Sequence, residues 1–179
     1  MKKELWDIYD ECFEKTGRVI MRGEPLKKGD YHLVVHIYPV SADGQILVQK
    51  RSMEVEWMPG IWAATGGSAV AGETPWQACH RELLEELGID ADKDDAMLAA
   101  IFKRTDSFNC VFVIRTDKDV NVTLQKEEVA QAKWLPVEQI REMMKEGSFH
   151  KYAYFDWLAG FIGSSLFHII GNSKEVPMI

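Results

Sequence analysis

The chain has 179 residues, with 28 acidic against 21 basic side chains and a formal net charge of -7. That length, with an ordinary apolar fraction, fits one globular domain over residues 1–179 with a real core, and excludes disordered and fibrous classes. The acidic balance disfavours nucleic acid polymers as partners, and leaves a small phosphorylated substrate open if cations mediate the contact.

Three cysteines, Cys12, Cys79 and Cys110, stand far apart with no CxxC pair, so neither a disulfide framework nor a zinc site is expected. A reducing, cytoplasmic setting suits them. The start of the chain turns acidic at Glu4 and Asp7 without an apolar run, which predicts no signal peptide. The most apolar stretch, 152–170, is broken by Asp156, Gly160 and Gly163 and reads as a core-packing helix, not a membrane span.

In chain order, Leu5 to Tyr9 and Arg18 to Arg22 predict an N-terminal hairpin over about 4–22, turning at Thr16-Gly17. Tyr31 to Val40, rich in β-branched and aromatic residues, predicts a strand. Asp43-Gly44 carries a hairpin-turn signature, and Ile46 to Lys50 is the returning strand. Trp62 to Thr65 is a short apolar segment after the Pro59-Gly60 break.

The strongest helix runs from Pro75 to Leu87. Thr74 and Gln77 form a capping box around Pro75, and Gly88 is the stop. Strands follow near Met97 to Lys103, Phe108 to Ile114 and Ala130 to Leu135; a helix follows Pro136 to about Lys145, and the last begins near Tyr152. Irregular alternation of strands and helices argues for a mixed sheet packed between helices.

At about 100° per residue, Glu82, Glu85 and Glu86 share an arc of roughly 100° on the strong helix, with Pro75 and Ala78 over the same face. Trp76, Cys79, Leu83, Leu84 and Leu87 form the opposite, core-facing stripe. Three carboxylates on one face repel unless something neutralises them. Hard divalent cations do this best, and Mg2+ takes a few carboxylates together with waters and substrate phosphates. A solvated acidic face is the competing reading for the three glutamates alone. The preceding loop adds weight: Gly66, Gly67 and Gly72 allow close approach to a ligand, and Arg81 is placed to clamp Glu73 or a neighbouring carboxylate in a bidentate pair.

The segment Gly67 to Ile89 resembles the Nudix box, G-x5-E-x7-R-E-U-x-E-E-x-G-U, with U a bulky aliphatic residue. Gly67, Glu73, Arg81, Glu82, Glu85, Glu86 and Gly88 fill every fixed position, and Leu83 and Ile89 the two U positions. The resemblance implies an α/β/α sandwich with a central mixed sheet, here with an N-terminal hairpin added. It implies Mg2+ (or Mn2+) held by Glu82, Glu85, Glu86 and the Gly66 carbonyl, with Gly67, Glu73, Arg81 and Gly88 shaping the loop-helix-loop. It further implies cleavage of a diphosphate bond in a nucleoside di- or triphosphate, or in a nucleoside diphosphate linked to another moiety.

Metal-assisted attack of water on phosphorus needs a base, for which Glu82, Glu85, Glu127 and Glu128 are the candidates. Lys50 and Arg51, at a strand end, are candidate phosphate contacts. Trp57, Trp62 and Tyr38 are either stacking surfaces for a base or core. His32 and His36 share one strand face and, with the run around them, resemble the subgroup that includes isopentenyl diphosphate isomerases. There a cysteine would stand at Gly66 and a further histidine at Ser68, so isomerisation lacks its acid here. No proline lies between Asp90 and Leu135, a departure from the pattern of ADP-ribose-cleaving members. A catalytically silent nucleotide-binding module is the alternative from another class, and a homodimer is compatible with either.

Overall fold

A computed structural model describes residues 4–164. The part of the expected C-terminal helix beyond residue 164 lies outside the described residues. The elements, in chain order, are β1 (Leu5–Tyr9), β2 (Lys15–Met21), β3 (His32–Val40), β4 (Ile46–Arg51), β5 (Trp62–Ala63), β6 (Thr65–Ser68), α1 (Pro75–Leu87), a 3-10 turn (Lys93–Asp95), β7 (Ala96–Lys103), β8 (Ser107–Arg115), β9 (Val129–Leu135), α2 (Val137–Glu146) and α3 (Phe155–Ile162).

Seven of these strands form one mixed sheet. Its main path runs β5-β4-β3-β8-β7, with β6 added on β3 and β9 on β4. The β3–β8 pair is parallel, in register from His32 opposite Ser107 to Val40 opposite Arg115; the remaining pairs are antiparallel. Helices cover both faces because the strands are apolar on both sides. Leu33, Val35, Ile37 and Leu47 pack with Ala78, Cys79, Leu83 and Leu87 of α1. Tyr38, Ile46, Val48, Val111 and Val113 pack with Ile140 and Met144 of α2 and Phe155, Leu158 and Ile162 of α3. Burying each large aliphatic side chain contributes about 1.5–3 kcal/mol, so these two layers hold the sheet flat between them. This is the expected α/β/α sandwich.

The α1 boundaries follow from local chemistry. The Thr74 hydroxyl accepts from the Gln77 amide, the Gln77 side chain accepts from the Thr74 amide, and the chain turns left-handed at Gly88. Leu84 departs from the expected core stripe: it is 43% exposed, on the solvent edge of the helix.

The N-terminal hairpin differs in its turn. The chain reverses at residues 10–14, where the Asp10 carboxylate accepts from the Cys12 and Glu14 amides, while Thr16-Gly17 lies inside β2. The acidic Asx-type turn outcompetes the Thr-Gly pair, and the register shift between Asp7 and Tyr9 takes up the offset. Tyr9 and Tyr31 exchange backbone hydrogen bonds, which fixes the hairpin to the head of β3. The segment expected over Trp62 to Thr65 is two strands broken at Ala64, the second reaching through Gly66 and Gly67 to Ser68. Helix α3 starts at Phe155, later than expected, because Tyr152 and Tyr154 turn inward and are buried ahead of it. Among the described residues no helix is long and apolar enough to cross a membrane.

Candidate active site

Strand β6 pairs with β3, Gly66 opposite His36 and Gly67 opposite Val35, which brings the two glycines against α1. At Gly66, with φ 152°, a Cβ would stand 2.1 Å from the Val35 carbonyl oxygen. At Gly67 a Cβ would fall 2.3 Å from Glu82 Oε1. Glycine is therefore required at both positions by contact: one lets β6 close on β3, the other leaves room for the Glu82 carboxylate.

Glu86 is 2% exposed. Its Oε2 accepts from Gln49 Nε2 at 2.9 Å and from the Gly66 amide at 3.1 Å, both neutral donors. Removal from water, then the nearby Glu82 charge, push its pKa up to about 8, against the pull of the two hydrogen bonds. Glu82 is raised to about 7, chiefly by burial, with the Arg81 charge and hydrogen bond working the other way. A buried and a partly buried carboxylate thus lie near one another, with no cation on Glu86 among the described residues.

Arg81 organises the rest. Its Nε and Nη2 donate to the two oxygens of Glu73 at 2.7 and 3.1 Å, Nη1 donates to Glu82 at 2.9 Å and to Glu85 at 3.1 Å, and Nη2 also reaches the Ser68 carbonyl at 3.2 Å. Glu73 Oε2 accepts in addition from the Val70 amide at 2.9 Å. The expected bidentate clamp is thus present in the geometry, and it ties loop 68–73 to the middle of α1.

The remaining candidates divide. Glu85 is largely exposed and held by Arg81. Glu128 is exposed, and its charge acts on both Glu82 and Glu86. Glu127 is exposed beside it. Gly88 ends α1 against Thr123, whose amide caps the Leu87 carbonyl. Lys50 follows Gln49 along β4 and so faces the other side of the sheet, opposite Trp62. Arg51 lies over the Trp57 ring at 5.1 Å and donates from Nε to the Trp57 carbonyl. Tyr38 and Trp62 are buried core, and Trp57 is exposed. His32 stacks on Trp6 at 4.0 Å, and His36 Nδ1 lies 2.6 Å from the Tyr154 hydroxyl.

Gln49 was outside the sequence reading. Its signal is a polar residue closing the apolar run Ile46-Leu47-Val48, and it is fully buried. Its Oε1 and the Thr65 hydroxyl have no hydrogen-bond partner among the described residues. No three His, Cys, Asp or Glu side chains converge into a ready-made metal cage among the described residues. What the site offers is a carboxylate pair with a third glutamate alongside. That suits a cation completing its shell with water and phosphate oxygens, and does not suit an all-protein cage.

Comparison with known proteins agrees with this geometry. A family model described as the NUDIX domain matches residues 30–158. An uncharacterized Nudix hydrolase of Listeria monocytogenes is 35% identical over 92% of this chain and 99% of its own length. An isopentenyl-diphosphate Delta-isomerase of Pectobacterium atrosepticum is 36% identical over a shorter stretch, 46% of each chain. A crystal structure from Deinococcus radiodurans superposes with a TM-score of 0.72 at 24% identity, covering 90% of this chain and all of that one, and so shares the fold. On the family model and the Listeria relative together, this chain belongs to the Nudix family of hydrolases.

Proposed function

We propose that this hydrolase is a Mg2+-dependent pyrophosphohydrolase that cuts the diphosphate bond of a nucleoside di- or triphosphate, or of a nucleoside diphosphate linked to another moiety. One observation carries the reading: Glu86, buried, and Glu82, largely so, are carboxylates placed together, each held by desolvation away from easy ionisation. Burying such a pair is costly unless the site is built for cations.

The residues present fit a divalent ion. Glu82, Glu86 and, after release from Arg81, the exposed Glu85 would hold it, with the Gly66 carbonyl beside them. Bound there, Mg2+ or Mn2+ would neutralise the diphosphate oxygens and acidify water. The chain's own groups do the rest. Gln49 and the Gly66 amide fix Glu86 Oε2, leaving Oε1 to turn toward the ligand. Arg81 keeps Glu82 from swinging away. Glu128, exposed and with its charge acting on both Glu82 and Glu86, is the favoured base and takes the proton from the attacking water at a carboxylate oxygen; Glu82 and Glu85 are tied to Arg81.

Two other readings are weaker. A silent nucleotide-binding module would have no need for all the box carboxylates, which this chain keeps. An isopentenyl diphosphate isomerase would need an acid at Gly66, and the 2.1 Å approach to Val35 leaves no space for a cysteine there. The purified chain with Mg2+ or Mn2+ should release phosphate or a monophosphate from at least one compound in a panel of nucleotides, dinucleotides, nucleotide sugars and coenzymes. Silence across the panel, with the protein folded, would overturn the proposal.

A further inference from the structure

Arg18, Arg22, Arg81, Arg115 and Arg141 are each ion-paired with a carboxylate. The other two arginines, Arg51 and Arg104, have no carboxylate within ion-pair distance among the described residues. This occurs in a chain with an excess of acid, where carboxylate partners are abundant.

Arg51 belongs to an aromatic cluster, and the charge of Arg104 acts on three of its rings, those of His36, His150 and Tyr154. Arg51 covers the Trp57 ring; Trp57 meets His150 edge-on at 5.0 Å; His150 meets Tyr152 at 4.5 Å. Tyr152 meets His36 at 5.0 Å, and the His36 Nδ1 pairs with the Tyr154 hydroxyl. Tyr154 stacks on Phe102 at 4.8 Å. Arg104 stands two residues beyond Phe102, just past the end of β7, on the same side of the extended chain. The guanidinium charges of Arg51 and Arg104 both act on the His150 ring, which burial first and then these charges hold below its usual pKa. Two like charges thus act on one cluster, neither of them ion-paired among the described residues, an arrangement that an incoming anion would relieve.

The cluster also touches the carboxylate site. The Ala64 amide donates to the Tyr152 hydroxyl at 3.2 Å, and Ala64 precedes by two residues the Gly66 that donates to Glu86, a span of about 7 Å of strand. A substrate whose diphosphate sits at Glu82 and Glu86 is within reach of the cluster.

We propose that Arg51 and Arg104, with the Trp57 and His150 rings, form a recognition subsite for a second anionic group of the substrate, a phosphate or a carboxylate separated from the scissile diphosphate. The subsite rests on the hydrolase reading only for its role in turnover; its affinity for anions is independent of it. Trp57 is 53% exposed and offers ring surface to the linking moiety.

Calorimetric titration without metal reads the subsite directly, using inorganic pyrophosphate and, separately, tricarballylate, which offers carboxylates alone. Wild type should bind at least one of them, and the one it binds names the anion. Arg104→Gln, at an exposed position that tolerates the change, should weaken that binding at least tenfold. Lys118→Gln, a remote loss of the same charge beside Asp43, should not. In turnover, Arg104→Gln should raise KM at least tenfold for a substrate with a second anionic group and keep kcat within twofold. For a diphosphate lacking that group it should behave as wild type. No binding of either probe by wild type, or equal binding by Arg104→Gln, overturns the subsite and leaves the hydrolase reading standing. Anion binding lost in Arg104→Gln with no turnover across the panel does the reverse.

Discussion

Gln49 donates to Glu86 Oε2 at 2.9 Å from a position with no solvent exposure, joining the middle of β4 to the last turn of α1. The bond fixes the rotamer of the carboxylate least able to find another partner. Residues of this kind, which orient a metal ligand from behind, are commonly worth about 10–100-fold in activity or metal affinity. Gln49→Leu should therefore raise the Mg2+ concentration for half-maximal activity by about that factor. Its stability cost should be small, because the variant also removes an Oε1 that has no partner. A melting temperature within a few degrees of wild type, together with a shifted Mg2+ titration, is the expected pair of results; an unshifted titration would show that Glu86 is held well enough by Gly66 alone.

The raised carboxylates make the metal-free protein sensitive to pH in a defined direction. Glu82 and Glu86 bind protons more tightly in the fold than in the unfolded chain. Their contribution is fully present below about 4.5 and is lost as pH rises toward about 7 and 8. His36, lowered to about 4 by burial, acts oppositely, and its effect is confined below its ordinary 6.5. Between pH 6.5 and 8.5 in a chelator, denaturant unfolding should show stability falling by roughly a few kcal/mol. Glu86→Gln should flatten much of that slope, and saturating Mg2+ should remove it. A slope unchanged in Glu86→Gln would mean that the carboxylate is ionised throughout.

How much of this was legible beforehand depends on sequence distance. Helix α1 was readable to the residue because its signals, Thr74, Pro75, Gln77 and Gly88, are local. The carboxylate face followed from helical spacing alone, as did the Arg81–Glu73 clamp from their proximity to it. Strand β6 was missed because Thr65-Gly66-Gly67-Ser68 has little strand propensity; its place comes from pairing with β3, a tertiary effect. Gln49 and Glu86 lie 37 residues apart, and no local pattern announces their bond. Arg51, Trp57, His150 and Arg104 come from the end of β4, the loop after it, the segment before α3 and the turn after β7, so they read individually as ordinary surface or core residues.

Removing Glu86 and removing Arg81 should fail in different ways. Glu86→Gln keeps the shape and both neutral hydrogen bonds while deleting a buried charge. Activity should fall by two orders of magnitude or more and recover only partly with added metal, while metal-free stability holds or rises. Arg81→Ala strips partners from Glu73, Glu82 and Glu85 at once, leaving two partly buried carboxylates without their cation at a cost of about 1–3 kcal/mol. Rate and melting temperature should drop together. Glu142→Gln, exposed on α2, should change neither. Wild-type turnover and metal dependence in Glu86→Gln would reduce the three glutamates to a solvated helix face.

The N-terminal hairpin gives the last prediction, because it grips the loop that carries Glu73. Asp7 Oδ2 accepts from the Gly72 amide at 2.8 Å and from Lys15 Nζ at 2.6 Å; the Leu5 carbonyl accepts from the Ala71 amide at 2.7 Å; and Lys15 Nζ reaches the Glu73 carbonyl at 3.2 Å. Three of these bonds hold residues 71–73 from outside, with the Asp7–Lys15 pair bracing two of them, while Arg81 holds the loop from within. Asp7 is thus a positioning residue that acts through the loop and touches no reacting atom. Asp7→Ala removes two of the four bonds, each worth about 1–3 kcal/mol when a charged group is involved. Since Asp7 stands outside the apolar clusters, and Ile8 and Tyr9 keep β1 anchored in the core, global unfolding should change little. The local effect should be clear: hydrogen exchange at the Gly72 and Glu73 amides should accelerate at least tenfold, while the α1 amides stay protected. Turnover should fall several-fold through kcat, because Arg81 then holds a looser Glu73, and Lys15→Met should reproduce a weaker form of the same change. If loop exchange rises and kcat does not move, Arg81 alone positions the carboxylates, and the hairpin stabilises the loop without bearing on catalysis.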